Sequence, residues 1–289
     1  MTPSQPDLSF EHEPLTSLFA TERSTESFRL DESQVESFRA RGFLSPVRVL
    51  TEEQVGQLLD ELEPILDPSH SGHELFYEFH ANESPDPGRV LVHALGAWRV
   101  ATAFHDLIWN VAITVPASQL LGGPVRLWHD QLFVKPERHG GVVAWHQDYS
   151  YWTRTKPMGH VTCWIPLDDV DESNGCVQYV PGSHRWDLLP VTGLTSEMNA
   201  IEAVLPPAQK QAFVPEPMRL KKGVASFHHP LTIHGSFGND SARPRRAIAL
   251  NYCLDGVRSD SDEPLLSGVE LIARGSPLSG RFFPLVYSP

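Results

Sequence analysis

Four consecutive residues, Trp145-His146-Gln147-Asp148, set an imidazole and a carboxylate two positions apart. On a strand or strand end, residues i and i+2 project to the same face, so His146 and Asp148 would stand side by side while Gln147 points away. Two such donors leave one triangular face of a metal's coordination sphere incomplete. A third donor from elsewhere closes that face and keeps three positions open, which is what a non-haem Fe(II) centre needs to admit a co-substrate and oxygen.

The remaining histidine has to come from later in the chain. Fourteen histidines offer many candidates. His234 is distinguished by its setting, His234-Gly235-Ser236, with Arg245 eleven residues on. Gly238-Asn239-Asp240-Ser241 is a turn signal, so a hairpin over residues 237–244 would place His234 and Arg245 on neighbouring strands. An arginine there can pair bidentately with a dicarboxylate whose other end chelates the metal. His228 and His229 compete with His234 for the ligand role. Arg243 and Arg246 compete with Arg245; strand alternation groups Arg243 with Arg245 and turns Arg246 away. His129, Asp130 and His160 lack the spacing for the triad, and His184, after a Pro-Gly-Ser turn, reads as structural. The run Asp168, Asp169, Asp171, Glu172 lacks the alternating ligands and central glycine of a Ca²⁺ loop and reads as a solvated turn.

The elements that must hold these residues begin with two helices. Asp31 with Gln34, and Thr51 with Gln54, are capping boxes; the first helix carries Val35 and Phe38 inward and stops at Gly42, and the second presents Val55, Leu58, Leu59, Leu62 and Ile65 on one stripe. Residues 43–50 between them, interrupted by Pro46, suit an edge strand. Residues 70–88 read as a long loop of the kind that forms lids. Helical signals return over 99–121 in two pieces meeting near residues 110–116. From Val125 short β-rich runs recur at 125–135, 141–145, 160–167, 176–181, 224–228 and 247–253, the rhythm of an antiparallel sandwich or barrel. An insertion at 188–213 carries helical patches. The expected architecture is a mainly β jelly roll with peripheral, N-terminal helices. Residues 1–29, polar and without periodicity, are expected as a flexible arm, and residues 30–289 as a single domain.

The composition narrows the partners. The net charge of −13, with no basic cluster longer than Arg243-Pro244-Arg245-Arg246, excludes a typical nucleic-acid binder and leans towards a small-molecule substrate over a CoA ester. No apolar run is long enough to span a membrane, and residues 1–22 lack a secretory pattern. Cys163, Cys176 and Cys253 are scattered and odd in number, which fits free thiols in a reducing cytoplasm. With no evident interface helix, a monomer is the default.

The sequence resembles the phytanoyl-CoA dioxygenase family, which includes ectoine hydroxylases. The resemblance spans roughly residues 91–252 and rests on WHQD at 145–148, CWIPLDD at 163–169, ESNGC at 172–176, VPGSH at 180–184, and the block running from His228 through His234-Gly235-Ser236 to Arg245 and Ala247. It implies a double-stranded β-helix (cupin-like) core and a dioxygenase using Fe(II), 2-oxoglutarate and O2, with release of succinate and CO2. By position it implies His146, Asp148 and His234 as iron ligands and Arg245 as the partner of the distal carboxylate of 2-oxoglutarate. Ser236 supports that carboxylate, Trp164 lines the co-substrate pocket, and Gln131 and Lys135 supply further contacts. Tyr149, Tyr151 and Trp152 fall where they can wall a substrate pocket or pack in the core. One departure stands out: the lysine that some relatives carry before a His-Ala-Leu stretch is absent, since Val90, Leu91 and Val92 precede His93-Ala94-Leu95. A carboxylate at Asp148, where related halogenases have a small residue, points to oxygenation. Two other readings use the same scaffold: a cupin-type dioxygenase independent of 2-oxoglutarate, which has no use for Arg245, and a non-catalytic binding protein, which has no use for an intact triad.

Overall fold

Two capping boxes fix where the chain first becomes helical. Asp31 and Thr51 accept from the backbone N–H three residues on, and Gln34 and Gln54 reach back to the cap N–H, each cap being worth about 1 kcal/mol. The helices that follow are α1 (Glu32–Arg41) and α2 (Glu52–Ile65). Gly42 ends α1 at φ 84°, a left-handed conformation natural to glycine. α2 buries Val55, Leu58, Leu62 and Ile65 along its expected stripe. α3 (Thr102–Leu107) and α4 (Val111–Leu121) meet at Asn110, which caps α4; Pro116 lies inside α4, so the break is shorter than expected. Two short helices, α5 (Tyr149–Trp152) and α6 (Pro207–Ala212), occur later in the chain. This computed structural model describes residues 6–19, 22–195 and 197–289, with the side chains of 22–24 left aside.

The strands are β1 (Phe43–Arg48), β2 (Glu78–His80), β3 (Val92–Leu95), β4 (Val125–Lys135), β5 (Val143–His146), β6 (Thr155–Lys156) and β7 (His160–Pro166). They continue with β8 (Gln178–Tyr179), β9 (Glu216–Pro217), β10 (Val224–His228), β11 (His234–Ser236), β12 (Arg245–Leu254), β13 (Arg258–Ser259) and β14 (Leu285–Tyr287). The large sheet runs β1-β10-β7-β12-β4-β3-β2, with β14 also on β4; a second sheet runs β5-β11-β8-β9, and β13 and β6 form a ribbon. Their pairing is antiparallel, and the two sheets form a double-stranded β-helix.

Alternation along the central strands divides structural work from chemical work. Val161, Cys163 and Ile165 of β7 and Ile248, Leu250 and Tyr252 of β12 pack into the core shared with Phe38, Leu58, Leu62, Phe104 and Ile113 of the helices. The intervening residues, Thr162 and Trp164 on β7 and Arg245 and Ala249 on β12, line the cavity enclosed by the fold. Both sets are buried, as a sheet covered on both faces requires.

Three expectations are corrected. Residues 70–88 are not all loop, because residues 78–80 form β2 on the edge of the large sheet. The start of the chain is tied down: Asp7 pairs with Arg99 and Arg281, Leu8 and Ser9 are buried, and the Leu15 and Thr16 N–H groups donate to Asp106 at 2.7 and 2.8 Å. Residues 1–5, 20 and 21 of the expected arm lie outside the described residues. Finally, residues 237–244 are not a hairpin between paired strands. β11 belongs to the small sheet and β12 to the large one, because β12 finds its partners in β4 and β7, and the turn at Asn239 bridges instead to Gly140. Among the described residues no helix is long and apolar enough to cross a membrane.

Candidate metal centre

His146 and His234 are directly opposed in the antiparallel pair of β5 and β11, which sets their rings 4.2 Å apart. Asp148 sits just past the end of β5 with φ −56° and ψ −43°, leading into α5. A helical turn, rather than strand alternation, therefore brings its carboxylate back beside the imidazoles. Asp148 Oδ1 lies 3.5 Å from Nε2 of both histidines. One donor atom from each of His146, Asp148 and His234 falls within 4.8 Å of the others, and all three residues are buried.

The surroundings prepare these atoms to bind a cation. His146 Nδ1 donates to the Ala144 carbonyl at 2.8 Å, and His234 Nδ1 to the Thr232 carbonyl at 2.9 Å, so each ring turns an Nε2 lone pair inward. Burial, reinforced by neighbouring His146, holds the His234 imidazole well below its usual pKa, in the neutral form a metal requires. Burial would raise the Asp148 carboxyl; the adjacent His234, His146 and His228 outweigh it and hold the group well below the usual carboxylate range. Its second oxygen, Oδ2, accepts from Thr162 Oγ1 at 2.8 Å and His228 Nε2 at 3.0 Å. Tyr179 OH, 2.7 Å from Ser226 Oγ, meets His228 Nδ1 at 3.0 Å. His228, a rival ligand on sequence grounds, is thus the residue that orients the carboxylate.

A second group of residues calls for an anion: Arg245 and Ser236 line the same cavity, and Lys135, outside its lining, is bonded to Ser236. Arg245 is 2% exposed and Lys135 wholly buried, and no carboxylate pairs with either among the described residues. Ser236 Oγ accepts from Arg245 Nη2 at 2.9 Å and Lys135 Nζ at 2.7 Å. Arg245 Nε donates to the Gly175 carbonyl at 3.0 Å, and Nη1 has no partner among the described residues. Burial draws the guanidinium down to about 10, still charged at neutral pH, and draws the Lys135 ammonium well below its usual value, with Arg245 adding to the effect. Lys135 Nζ spends its donors on the Ser236 and Phe237 carbonyls and on Ser236 Oγ; the guanidinium, a buried cation with Nη1 unused, needs an incoming anion, and a carboxylate supplies the matching acceptor. Metal and 2-oxoglutarate therefore both fit the residues present. Arg243 and Arg246, the alternatives, pair instead with Asp171 at 2.7 Å and Asp168 at 2.6 Å.

Trp164 lies under Arg245, with the guanidinium carbon 5.4 Å from the ring centroid. Gln131 lines the cavity, but its amide is engaged with His93 Nε2 at 3.2 Å and with Asn251 Nδ2 at 3.1 Å. Tyr151 and Trp152 wall the cavity, whereas Tyr149 donates its hydroxyl to the Thr155 carbonyl at 2.6 Å. His129 and His160, drawn to about 3 by burial, are neutral packing partners. Asp130 accepts from the Gly96 and Trp98 N–H groups and is structural. Sequence reasoning missed Thr162, although it shares a strand face with Trp164, and missed Glu83, which has no motif around it.

A buried His-Asp-His face beside an anion pocket, inside a double-stranded β-helix, defines a mononuclear non-haem iron oxygenase of the 2-oxoglutarate-dependent class. The family model for phytanoyl-CoA dioxygenase (PhyH) matches residues 38–247, and the chain belongs to that family. Among curated relatives, L-proline trans-4-hydroxylase of Streptomyces griseoviridis is 30% identical over 57% of this chain and 71% of its own length. Ectoine dioxygenase of Bordetella parapertussis is 27% identical over 77% of this chain and 75% of its own. Among solved structures, the non-haem alpha-ketoglutarate-dependent carbocyclase SnoK from nogalamycin biosynthesis aligns with a TM-score of 0.74 at 23% identity, covering 93% of this chain and 99% of that one. The epimerase SnoN, in complex with Fe3+, alpha-ketoglutarate and nogalamycin RO, aligns at 0.72 and 24% identity over 89% and 98%. The cofactor of this enzyme is iron, and its co-substrates are 2-oxoglutarate and O2.

Proposed function

We propose that this enzyme hydroxylates an unactivated C–H bond of a small or medium organic metabolite. His146, Asp148 and His234 hold the iron, and Arg245 and Ser236 receive the distal carboxylate of 2-oxoglutarate, with Lys135 fixing Ser236 from outside the cavity lining. The observation that carries this reading is the shared cavity: three donor atoms within 4.8 Å of one another, and in the same space a buried guanidinium whose Nη1 has no partner among the described residues. When bound, iron with 2-oxoglutarate and O2 supplies the oxidant for C–H cleavage, and the co-substrate leaves as succinate and CO2.

The chain's own residues supply position and a controlled environment. Arg245 fixes one end of the co-substrate with a geometry lysine cannot reproduce, and Trp164 forms the wall beneath it. His228 and Thr162 hold Asp148 so that one oxygen faces inward. Trp128, Tyr151, Trp152, Leu265 and Leu266 line the rest of a cavity of about 300 Å³, apolar walls that keep water from the reacting carbon. That volume suits a compact molecule or one end of a larger one. The test is oxygen exposure of the iron- and 2-oxoglutarate-loaded enzyme with a metabolite panel, read by mass spectrometry. A hydroxylated product formed with stoichiometric succinate supports the reading. Product formation that continues without 2-oxoglutarate refutes it.

A further inference from the structure

The cavity carries charge that neither iron nor 2-oxoglutarate uses. Its acidic lining residues are Asp148, Glu78 and Glu83, and its basic ones are Arg154 and Arg245. Asp148 and Arg245 serve the metal centre and the anion pocket. Arg154 gives both terminal nitrogens to the Pro264 and Leu265 carbonyls at 2.9 Å. Glu78 is about half exposed at the rim and Glu83 more deeply set, its side chain 24% exposed.

Glu83 is held firmly. Its backbone N–H donates to the Leu91 carbonyl at 2.8 Å, and neighbouring Asn82 accepts from the Ser84 and Leu91 N–H groups. Its Oε2 accepts from His93 Nδ1 at 2.7 Å. His93 is itself held from behind, its Nε2 3.2 Å from Gln131 Nε2, so the ring fixes the direction in which Glu83 points. Oε1 takes no hydrogen bond among the described residues.

An independent observation comes from Trp128, a lining residue only 3% exposed whose indole N–H has no partner among the described residues. With Tyr151 and Trp152 it gives the cavity aromatic walls, and Tyr151 stands 6.0 Å from the His146 ring, centroid to centroid. Anion and aromatic faces together bind organic cations, and an unpaired buried donor asks for an acceptor.

We propose that the substrate carries a basic nitrogen, cationic at neutral pH, paired with Glu83, and a hydrogen-bond acceptor that meets the Trp128 indole N–H. This rests on the cavity being the 2-oxoglutarate oxygenase site described above. The test uses benzylamine, benzyl alcohol and benzoate, one ring with a cationic, neutral or anionic substituent. Each is titrated anaerobically into the Fe(II)- and 2-oxoglutarate-loaded enzyme and followed by the charge-transfer absorption of the chelate. Ligand-observed NMR on metal-free protein gives the same three affinities independently. Benzylamine should bind at least about ten-fold tighter than the other two, as one charge-assisted contact allows. Glu83→Gln should erase that preference, Glu83→Asp should keep part of it, and 2-oxoglutarate affinity should stay unchanged in both. Equal affinities, a preference for benzoate, or a preference that survives Glu83→Gln would overturn the inference. A wild-type protein with no charge-transfer absorption on adding 2-oxoglutarate would overturn the oxygenase reading beneath it.

Discussion

Replacing Arg245 by methionine separates the anion pocket from the metal centre. Arg245 is 2% exposed, and Nε and Nη2 are bonded to Gly175 and Ser236, while Nη1 has no partner among the described residues. A charge-assisted bond from Nη1 to a carboxylate is worth about 1.5–3 kcal/mol, and satisfying a buried orphan N–H adds about 1–3 kcal/mol. Their sum of about 2.5–6 kcal/mol predicts a rise in the 2-oxoglutarate Kd of roughly two to four orders of magnitude. Arg245→Lys, which keeps charge and loses the fork, should fall between. Fe(II) affinity should change by less than about two-fold, since Arg245 contacts none of the three donors. Tm should hold or rise, because the variant buries no unpaired charge. Anaerobic calorimetry of 2-oxoglutarate into metal-loaded protein measures the first quantity, and a metal titration the second. A 2-oxoglutarate Kd within a few-fold of wild type, or parallel loss of iron, refutes the reasoning.

Further outcomes follow from other contacts. His228→Ala removes one of two donors to Asp148 Oδ2 and should weaken Fe(II) binding by about 10–100-fold, with partial recovery in His228→Gln; competitive metal titration reads both. Gly175→Ala puts a Cβ 2.5 Å from the Phe237 carbonyl at φ +78°. It should cost about 1–2 kcal/mol, visible as a lower Tm, and raise the 2-oxoglutarate KM several-fold by shifting the carbonyl that receives Arg245. Asp7, mostly buried against Arg99 and Arg281, has burial raising its carboxyl, but contacts from Arg99 and Ser9 outweigh it and leave a pKa below 3.8. A depressed carboxylate stabilises the fold above its unfolded pKa and loses that contribution as pH falls through the folded value. Acid unfolding of Asp7→Asn should therefore lack this component below about pH 4, while at neutral pH the variant should be less stable than wild type. Because Arg245 is drawn to about 10, 2-oxoglutarate affinity should stay level through neutral pH and fall as pH rises through that value and the guanidinium loses its proton.

What could be read from the sequence was local. Asp31 with Gln34 and Thr51 with Gln54 announce their helices because a capping box is completed within four residues. β4 spans residues 125–135 as expected, since its β-branched and aromatic residues are bounded by turn residues. His146 and Asp148 were legible as a pair from spacing, and His234 from its neighbours. The misread parts depend on distant partners. Whether β12 continues the sheet of β11 is decided by β4 and β7, more than eighty residues away, so the turn at 238–241 was recognised and the strand pairing was not. Asp7 looks like part of a polar arm until Arg99 and Arg281 are seen beside it. Leu265, Leu266, Phe282 and Phe283 pack against Trp128 and Trp152 from a segment with no periodicity to announce it. His228 and His234 both line the cavity, and no local sign told which would join the His146–Asp148 pair, because that follows from their placement in different sheets.

Iron-edge anomalous diffraction from crystals grown anaerobically with Fe(II) and 2-oxoglutarate tests the central assignment most directly. One peak is expected about 2.0–2.2 Å from Nε2 of residue 146, Nε2 of residue 234 and an oxygen of residue 148, with the free carboxylate of 2-oxoglutarate against the guanidinium of residue 245. A peak at His129 or His160, or a co-substrate carboxylate bound away from that guanidinium, would contradict it.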